Sequence, residues 1–118
     1  MISLTLPLPP TINHYFLRKG NRTFLSAKVR EYRQAVAEIV AAAGLKTLEG
    51  RLSMFVAVHP ATRAKTDLDN RAKGLQDALT HAGVWLDDEQ LDELTLVRRE
   101  VIKGGLVRVV ITELDAAN

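Results

Sequence analysis

The chain has 118 residues, of which 47% are hydrophobic and 25% are charged, and it contains no cysteine. This length and composition predict one globular domain over residues 1–118. The lack of cysteine excludes disulfides, zinc–thiolate sites and thiol catalysis. No run approaches the ~18 apolar residues of a membrane span, and the N-terminal MISLTLPLPP lacks a basic leader and is interrupted by prolines. We therefore expect a soluble, cytoplasmic protein without a membrane partner.

The formal net charge of +2 conceals an uneven distribution along the chain. Residues 1–65 contain ten Lys/Arg and three Glu, a balance of +7, whereas residues 66–118 contain six Lys/Arg and eleven Asp/Glu, a balance of −5. The basic half could meet a polyanionic partner. Alternatively, the two halves could neutralise each other as ion pairs within the fold, and composition alone does not distinguish these two interpretations.

The first half of the chain predicts two strands and one helix. Alternating apolar residues indicate a half-buried strand at residues 2–6, and residues 9–26 form a long basic connection that carries aromatic residues. A helix is predicted from Ser26, as its N-cap, to about Ala43, with Gly44 as its stop. Residues 52–58 indicate the second strand.

The second half predicts a helix followed by two strands. An acidic turn at 87–91 precedes strands at about 94–102 and 106–113, which Lys103-Gly104-Gly105 would join as a hairpin. The order strand, helix, strand, helix, strand, strand predicts an α+β domain, with a small mixed β-sheet and helices packed on it. The helix is indicated by one apolar face and a terminating glycine, at Leu68, Ala72, Leu75, Leu79, Ala82 and Gly83.

Carboxylates are concentrated in this second half, at Asp67, Asp69 and the pair Asp87–Asp88. Clustered negative charge is unfavourable unless a cation relieves it, and Mg²⁺ prefers oxygen ligands. Residues two apart on a helix point about 200° apart, so Asp67 and Asp69 could approach each other only if Asp67 lies at or near the N-cap. Asp88 would have to return from beyond the far end of the helix, through the apolar segment at residues 84–86.

Helix capping explains the same residues without a metal. Thr66-x-x-Asp69 resembles a capping box, and Asp87-x-x-Gln90 could cap the next turn. Lys73 lies one turn after Asp69, where it could form an ion pair or contact a phosphate. The spacing of these residues leaves capping and metal binding both open. An EF-hand is excluded, because alanines occupy the positions that require Gly and Glu, and the three histidines show no metal-ligand spacing.

The motif from Asp67 to Asp88, DLDNxxKxxxDALxxAGxWLDD, closely resembles the signature of the RusA family of Holliday-junction resolvases. The LPxPPxxNxY of residues 6–15, the RTxxS of residues 22–26 and the KGG of residues 103–105 also resemble that family. The resemblance covers nearly the whole chain. It implies a homodimeric, Mg²⁺-dependent endodeoxyribonuclease without a small-molecule cofactor, which resolves four-way junctions by paired symmetric nicks in DNA recombination and repair.

Carried over residue by residue, the resemblance places the family's metal-binding carboxylates on Asp67, Asp69 and Asp88 and its catalytic lysine on Lys73. Beside these residues, Asn70 and Asp87 are expected to orient and support the carboxylates, and Asp77 to have a structural role.

The basic residues around this centre are expected to bind DNA, because the carboxylates themselves repel it. Tyr15, Phe16 and Phe24 would either stack on unpaired bases at a junction centre or pack on the core. Two alternatives remain: a protein that binds junctions or branched DNA without catalysis, and a nuclease for branched or flap DNA in general. The expected DNA-binding residues are Asn13, Tyr15, Arg18, Lys19, Arg22, Arg30, Arg63 and Lys65.

Overall fold

The computed structural model describes residues 1–114 and contains a mixed four-stranded sheet, a separate hairpin and two α-helices. Short 3-10 helices lie at Ile12–His14, Leu68–Arg71 and Asp88–Gln90. The predicted α+β class is therefore confirmed. The strands are β1 (Ile2–Pro7), β2 (Phe16–Lys19), β3 (Arg22–Leu25), β4 (Leu52–His59), β5 (Leu91–Arg98) and β6 (Leu106–Glu113), and the helices are α1 (Ala27–Ala43) and α2 (Ala72–His81).

Helix α1 begins and ends at the predicted residues. The Ser26 hydroxyl oxygen accepts a hydrogen bond from the Val29 amide at 3.3 Å, which satisfies one of the free N–H groups of the first turn. At the other end Gly44 has a φ of 65°, a left-handed conformation that glycine adopts without a steric penalty. Local capping chemistry therefore fixes both ends of α1.

The main sheet has the strand order β1, β6, β4, β5. Strand β4 lies parallel to β5 and antiparallel to β6, and β1 is antiparallel to β6. Helix α2 thus connects the two parallel neighbours, β4 and β5. This arrangement brings the carboxyl ends of β4 and β5 to the same edge of the sheet.

The predicted hairpin between the last two strands is wrong. Gly104 and Gly105 do form a turn with positive φ, but β4 lies between β5 and β6 in the sheet. Strand β5 also covers residues 91–98 rather than 94–102. Beyond Arg98 the chain continues beside the end of β4, where the Arg99 amide donates to the Val58 carbonyl at 2.9 Å. The Gly-Gly signal identified a turn and not the strands that pair.

The basic connection contains a hairpin that was not predicted. Strands β2 and β3 pair antiparallel across Gly20-Asn21, and Gly20 has a φ of 61°. A Gly-Asn pair is a recognised signal for a two-residue hairpin turn. All residues of β2 and β3 are exposed apart from the half-buried Leu25. Because neither face of the hairpin is buried, its sequence lacks the alternation of apolar and polar residues by which a strand is recognised.

The core lies between one face of the main sheet and the two helices. Val36 and Val40 of α1 and Leu75 and Leu79 of α2 are buried against the sheet, together with Trp85. Neither α1 nor α2 is long and apolar enough to cross a membrane within the part of the chain that is described.

Candidate functional site

Asp67 and Asp69 lie where the 3-10 helix Leu68–Arg71 leads into α2. Asp67 is the N-cap, with extended backbone angles (φ −77°, ψ 136°), and its side chain makes no capping hydrogen bond. Both aspartates are exposed. The N-cap position predicted for Asp67 is thus observed, but its carboxylate is not used for capping. It is therefore available to a ligand.

Asp67 borders a cleft of about 400 Å³ at the carboxyl edge of the parallel pair β4 and β5. In open sheets, ligands bind outside the carboxyl ends of the strands. We refer to this feature as the β4–β5 cleft. Its lining combines one carboxylate, two cations and polar groups, and consists of Thr11, Asn13, Lys65, Thr66, Asp67, Asn70 and Arg98.

Arg98 is a cleft residue that the sequence did not identify. Its guanidinium donates to the Thr66 carbonyl at 2.7 Å, which ties the end of β5 to the residue before Asp67. The sequence signal for this contact was weak, because the predicted β5 was paired with β6 and extended to residue 102. Once β5 is placed beside β4, its last residue lies next to the loop that follows β4.

Asp88 lies at the opposite end of α2 from Asp67 and Asp69. It begins the 3-10 helix Asp88–Gln90, where Asp87 is the N-cap and forms the predicted capping box with Gln90. The Asp88 carboxylate accepts a hydrogen bond at 3.2 Å from Thr80, in the last turn of α2. Thr80 lies eleven positions after Asp69, which corresponds to roughly 16 Å along a helix.

The expected return of Asp88 to the other two carboxylates is therefore not seen within one chain. Of the apolar segment 84–86, Val84 and Trp85 are buried whereas Leu86 is exposed. The segment brings the chain only to the end of α2. Among residues 1–114 no three side chains of His, Cys, Asp or Glu form a group that could hold a metal ion. A single chain thus offers the Asp67–Asp69 region and the Asp88 region as two separate acidic sites.

Lys73 points toward Asp77. Its Nζ lies 3.3 Å from Asp77 Oδ2, one helical turn later, and 5.3 Å from the centre of the Tyr15 ring. The Tyr15 hydroxyl donates to the same carboxylate and accepts from Arg33 at 3.1 Å. Burial is the main cause that raises the pKa of Tyr15, and the hydrogen bond to Asp77 raises it further. Asp77 thus holds Lys73 and Tyr15 together, in keeping with the structural role expected for it.

Tyr15 is only 1% exposed. Of the two alternatives for the aromatic residues, Tyr15 follows the second and packs in the interior, so this structure offers no ring face to a base. Phe16 and Phe24 differ, because they are 54% and 46% exposed. Burial thus favours core packing for the Tyr15 ring, and DNA binding by Tyr15, Phe16 and Phe24 stays a prediction.

The remaining predicted DNA-binding residues are exposed. Arg18, Lys19 and Arg22 lie on the β2–β3 hairpin, whereas Asn13 and Lys65 border the β4–β5 cleft. Arg30 lies on α1, and Arg63 lies in the loop after β4.

The ion pairs also address the two interpretations of the charge distribution. Within residues 1–114, ion pairs between the basic and the acidic half use Arg33 and Arg51. The six basic residues expected to bind DNA take no part in those pairs. Internal neutralisation therefore accounts for two of the ten basic residues of the first half.

His59 is a buried polar residue to which the sequence assigned no role. Its Nδ1 lies 2.9 Å from the Glu100 carbonyl oxygen, which can only accept, and its Nε2 lies 2.9 Å from an Arg108 nitrogen, which can only donate. These partners fit the tautomer that donates from Nδ1 and accepts at Nε2. His59 therefore links β4, β6 and the segment after β5, and acts in the structure rather than at the cleft.

Comparison with known proteins identifies the family. A model of the family described as Endodeoxyribonuclease RusA matches residues 7–112. The crossover junction endodeoxyribonucleases RusA of Escherichia coli O139:H28 (strain E24377A / ETEC) and of strain K12 are 42% and 41% identical over 113 residues, which cover 95% of this chain and 94% of each relative. The corresponding protein of Enterobacteria phage HK97 is 38% identical over 112 residues, or 94% of this chain and 93% of the phage protein. The chain belongs to the RusA family of endodeoxyribonucleases.

Proposed function

We propose that this protein is a Mg²⁺-dependent endodeoxyribonuclease that resolves four-way DNA junctions by paired symmetric nicks. The observation that carries this proposal is the Asp67 carboxylate, which makes no capping bond and borders a cleft that Lys65 and Arg98 also line. A carboxylate that can bind a cation, beside cations that can bind phosphate, is an arrangement suited to phosphodiester hydrolysis. The crossover junction activity named for the relatives supports the same conclusion.

The donor set at the start of α2 suits magnesium. Mg²⁺ is commonly held by one or two carboxylates and completes its shell with water and substrate phosphate oxygens. Asp67 and Asp69 would provide the carboxylates, and Asn70, which also lines the cleft, would help to orient them. When bound, the ion would lower the pKa of a coordinated water and offset negative charge on the phosphate.

The chain's own cations would position the DNA strand. Lys65 and Arg98 would hold phosphates in the β4–β5 cleft, and Arg63 precedes Lys65 in the loop after β4. Lys73, in the first turn of α2, would act as a point charge near the scissile phosphate. Asp77 would keep its ammonium group oriented through the 3.3 Å contact.

A homodimer could bring Asp88 of one subunit close to Asp67 and Asp69 of the other. If two α2 helices run antiparallel near a two-fold axis, the start of one helix lies beside the end of the other. Asp88 of the partner subunit would then join Asp67 and Asp69. The same two-fold axis would place two sites symmetrically for the two strands that a four-way junction must have cut.

The experiment compares cleavage of a mobile four-way junction, a linear duplex and a flap, with and without Mg²⁺. We expect paired symmetric nicks in the junction alone, which the Asp69→Asn variant loses while it still binds the junction. Glu113→Gln is the matched control. Glu113 is exposed and lies opposite Leu52 in the β4–β6 register, at the end of β4 away from the cleft. Binding without cutting at any Mg²⁺ concentration would favour the non-catalytic alternative. Equal cutting of the flap would favour the general branched-DNA nuclease.

A further inference from the structure

The β2–β3 hairpin projects from the domain with apolar side chains on its surface. In the described part of the chain its two strands pair only with each other. Phe16 and Leu17 of β2 are 54% and 57% exposed, and Phe24 of β3 is 46% exposed. Large apolar side chains gathered on an exposed hairpin indicate an interaction surface.

The hairpin arranges apolar and cationic side chains in order along one face. Leu17 lies directly opposite Phe24, and Lys19 lies opposite Arg22 next to the turn. Because side chains two residues apart share a face of a strand, these four side chains lie on the same face. An apolar pair is therefore followed by a cationic pair.

The charge of the surrounding segment favours a nucleic acid as the occupant of this face. The chain contains five Lys/Arg and no Asp/Glu before Glu31. A polyanion is attracted to such a segment, whereas two copies of the hairpin meeting at a two-fold axis would bring like charges together. Bases whose stacking is interrupted also offer a planar apolar surface to Phe24.

We propose that the β2–β3 hairpin recognises the branch point of the DNA substrate. Leu17 and Phe24 contact unstacked bases at the centre of the junction, and Lys19 and Arg22 contact the adjoining phosphates. This inference rests on the proposed function, and it names the element that distinguishes a junction from a duplex.

The base of the hairpin is fixed to the site that contains Lys73. The Tyr15 carbonyl accepts from the Ser26 amide at 2.9 Å, which closes the base of the hairpin. The Phe16 ring packs edge-on against Tyr15 with their centres 4.8 Å apart, and the Tyr15 hydroxyl bonds Asp77, the partner of Lys73. A branch point held by the hairpin is therefore presented on the side of the domain that carries Lys73.

The test compares a double variant, Leu17→Ala with Phe24→Ala, with a control at another exposed leucine, Leu94→Ala on β5. Binding to a four-way junction and to a duplex is measured with Ca²⁺ in place of Mg²⁺, and a 2-aminopurine at the junction centre reports unstacking. We expect the double variant to bind the junction at least ~10-fold more weakly, with duplex binding changed by less than about twofold, and to lose the fluorescence increase. Leu94→Ala should behave as wild type.

A second variant tests the cationic pair. The double variant Lys19→Gln with Arg22→Gln should weaken junction binding and duplex binding alike. The slope of log K against log[salt] should also become less steep by about 2. Unchanged junction preference in the Leu17/Phe24 variant would overturn the inference even if the wild-type protein cuts junctions. If the Leu17/Phe24 variant differs from the wild-type protein in oligomeric state, as measured by sedimentation, the hairpin forms a contact between copies of the chain. That result would also overturn the inference. If the wild-type protein neither prefers nor cuts junctions, the proposed function itself fails.

Discussion

Thr80 Oγ1 lies 3.2 Å from Asp88 Oδ1 and also accepts a hydrogen bond from Trp85 Nε1 at 2.6 Å. The same hydroxyl lies 3.0 Å from the Gln76 carbonyl oxygen, so its single proton is shared between that oxygen and the carboxylate. The buried indole of Trp85 and the Asp88 carboxylate are thereby fixed at the end of α2. The position of Asp88 is set by the core and not by a flexible loop.

The first prediction concerns this hydroxyl. Thr80→Val removes the acceptor of the buried Trp85 N–H group and the donor to Asp88, and should lower the free energy of unfolding by about 1–3 kcal/mol. It should also reduce junction cleavage at limiting Mg²⁺, because Asp88 is no longer held. Thr80→Ser keeps the hydroxyl and should stay close to wild type in both urea denaturation and cleavage. A loss in Thr80→Ser with none in Thr80→Val would show that the methyl group, rather than the hydroxyl, matters.

The second prediction concerns Asp77. Asp77→Asn leaves Lys73 and Arg33 without their carboxylate, and weakens the bond that the Tyr15 hydroxyl donates. We expect a slower cleavage step with little change in junction binding, because the variant disturbs the orientation of Lys73 and leaves the hairpin surface intact. Single-turnover cleavage and a binding titration measure the two effects separately. Glu38→Gln, which alters an exposed contact with Gln34 on α1, is the control. A variant that cuts at the wild-type rate would contradict a positioning role for Asp77.

The third prediction separates two effects at adjacent glycines. Gly104 and Gly105 have φ values of 83° and 70°, which strain any other residue. A Cβ at Gly104 would meet nothing within 4 Å, whereas one at Gly105 would lie 2.7 Å from Leu8 Cδ2 and 3.2 Å from the Ala61 amide nitrogen. Gly104→Ala should therefore cost about 1–2 kcal/mol and Gly105→Ala about 2–4 kcal/mol of unfolding free energy. Urea denaturation measures both, and equal costs would contradict the close packing at Gly105.

The fourth prediction concerns the acid dependence of stability. Arg51 donates to Asp92 at 2.6 Å, and this bond lowers the pKa of Asp92. A carboxyl with a lowered pKa stabilises the fold fully above its unfolded pKa of about 3.9, and that contribution is lost as the pH falls through the folded value. Asp92→Asn should therefore have a lower urea midpoint than wild type at about pH 7, and the difference should shrink as the pH is lowered below about 3.9. A difference that does not change as the pH is lowered would contradict this linkage.

Local signals predicted the elements whose boundaries depend on nearby residues. Ser26 and Gly44 cap α1, and the apolar periodicity of α2 and the alternation of β1 identified their buried faces. The pairing of β5 could not be predicted in the same way, because it depends on β4, which lies more than thirty residues earlier in the chain. A turn signal states that the chain reverses, but not which strand it joins.

Two residues near the start of α2 show the same limit: Arg71 precedes the helix and Gly74 lies in its first turn. Nothing in the sequence accounted for Gly74 or Arg71, yet in the structure both contact the prolines that follow β1. A Cβ on Gly74 would lie 3.2 Å from the Pro10 carbonyl oxygen, and the Arg71 guanidinium donates to the Pro9 carbonyl. The contact between Arg71 and Pro9 joins residues that are 62 positions apart in the chain. The separation of Asp88 from Asp69 likewise depends on the length of α2 and on the hydrogen bond between Thr80 and Asp88. Neither can be derived from the spacing of the residues in the motif.

The proposed metal site combines carboxylates from the two ends of α2 in two different chains, and subunit mixing distinguishes it from a site within one chain. Two chains with different tags are co-expressed, one carrying Asp67→Asn with Asp69→Asn and the other carrying Asp88→Asn, and the heterodimer is purified through both tags. If the site combines two chains, this heterodimer keeps one intact site, nicks a cruciform plasmid in Mg²⁺ to open circles, and does not linearise it. Wild type paired with a chain that carries Asp69→Asn and Asp88→Asn together should then be inactive. An inactive first heterodimer and an active second one would contradict the claim and assign all three carboxylates to a single chain.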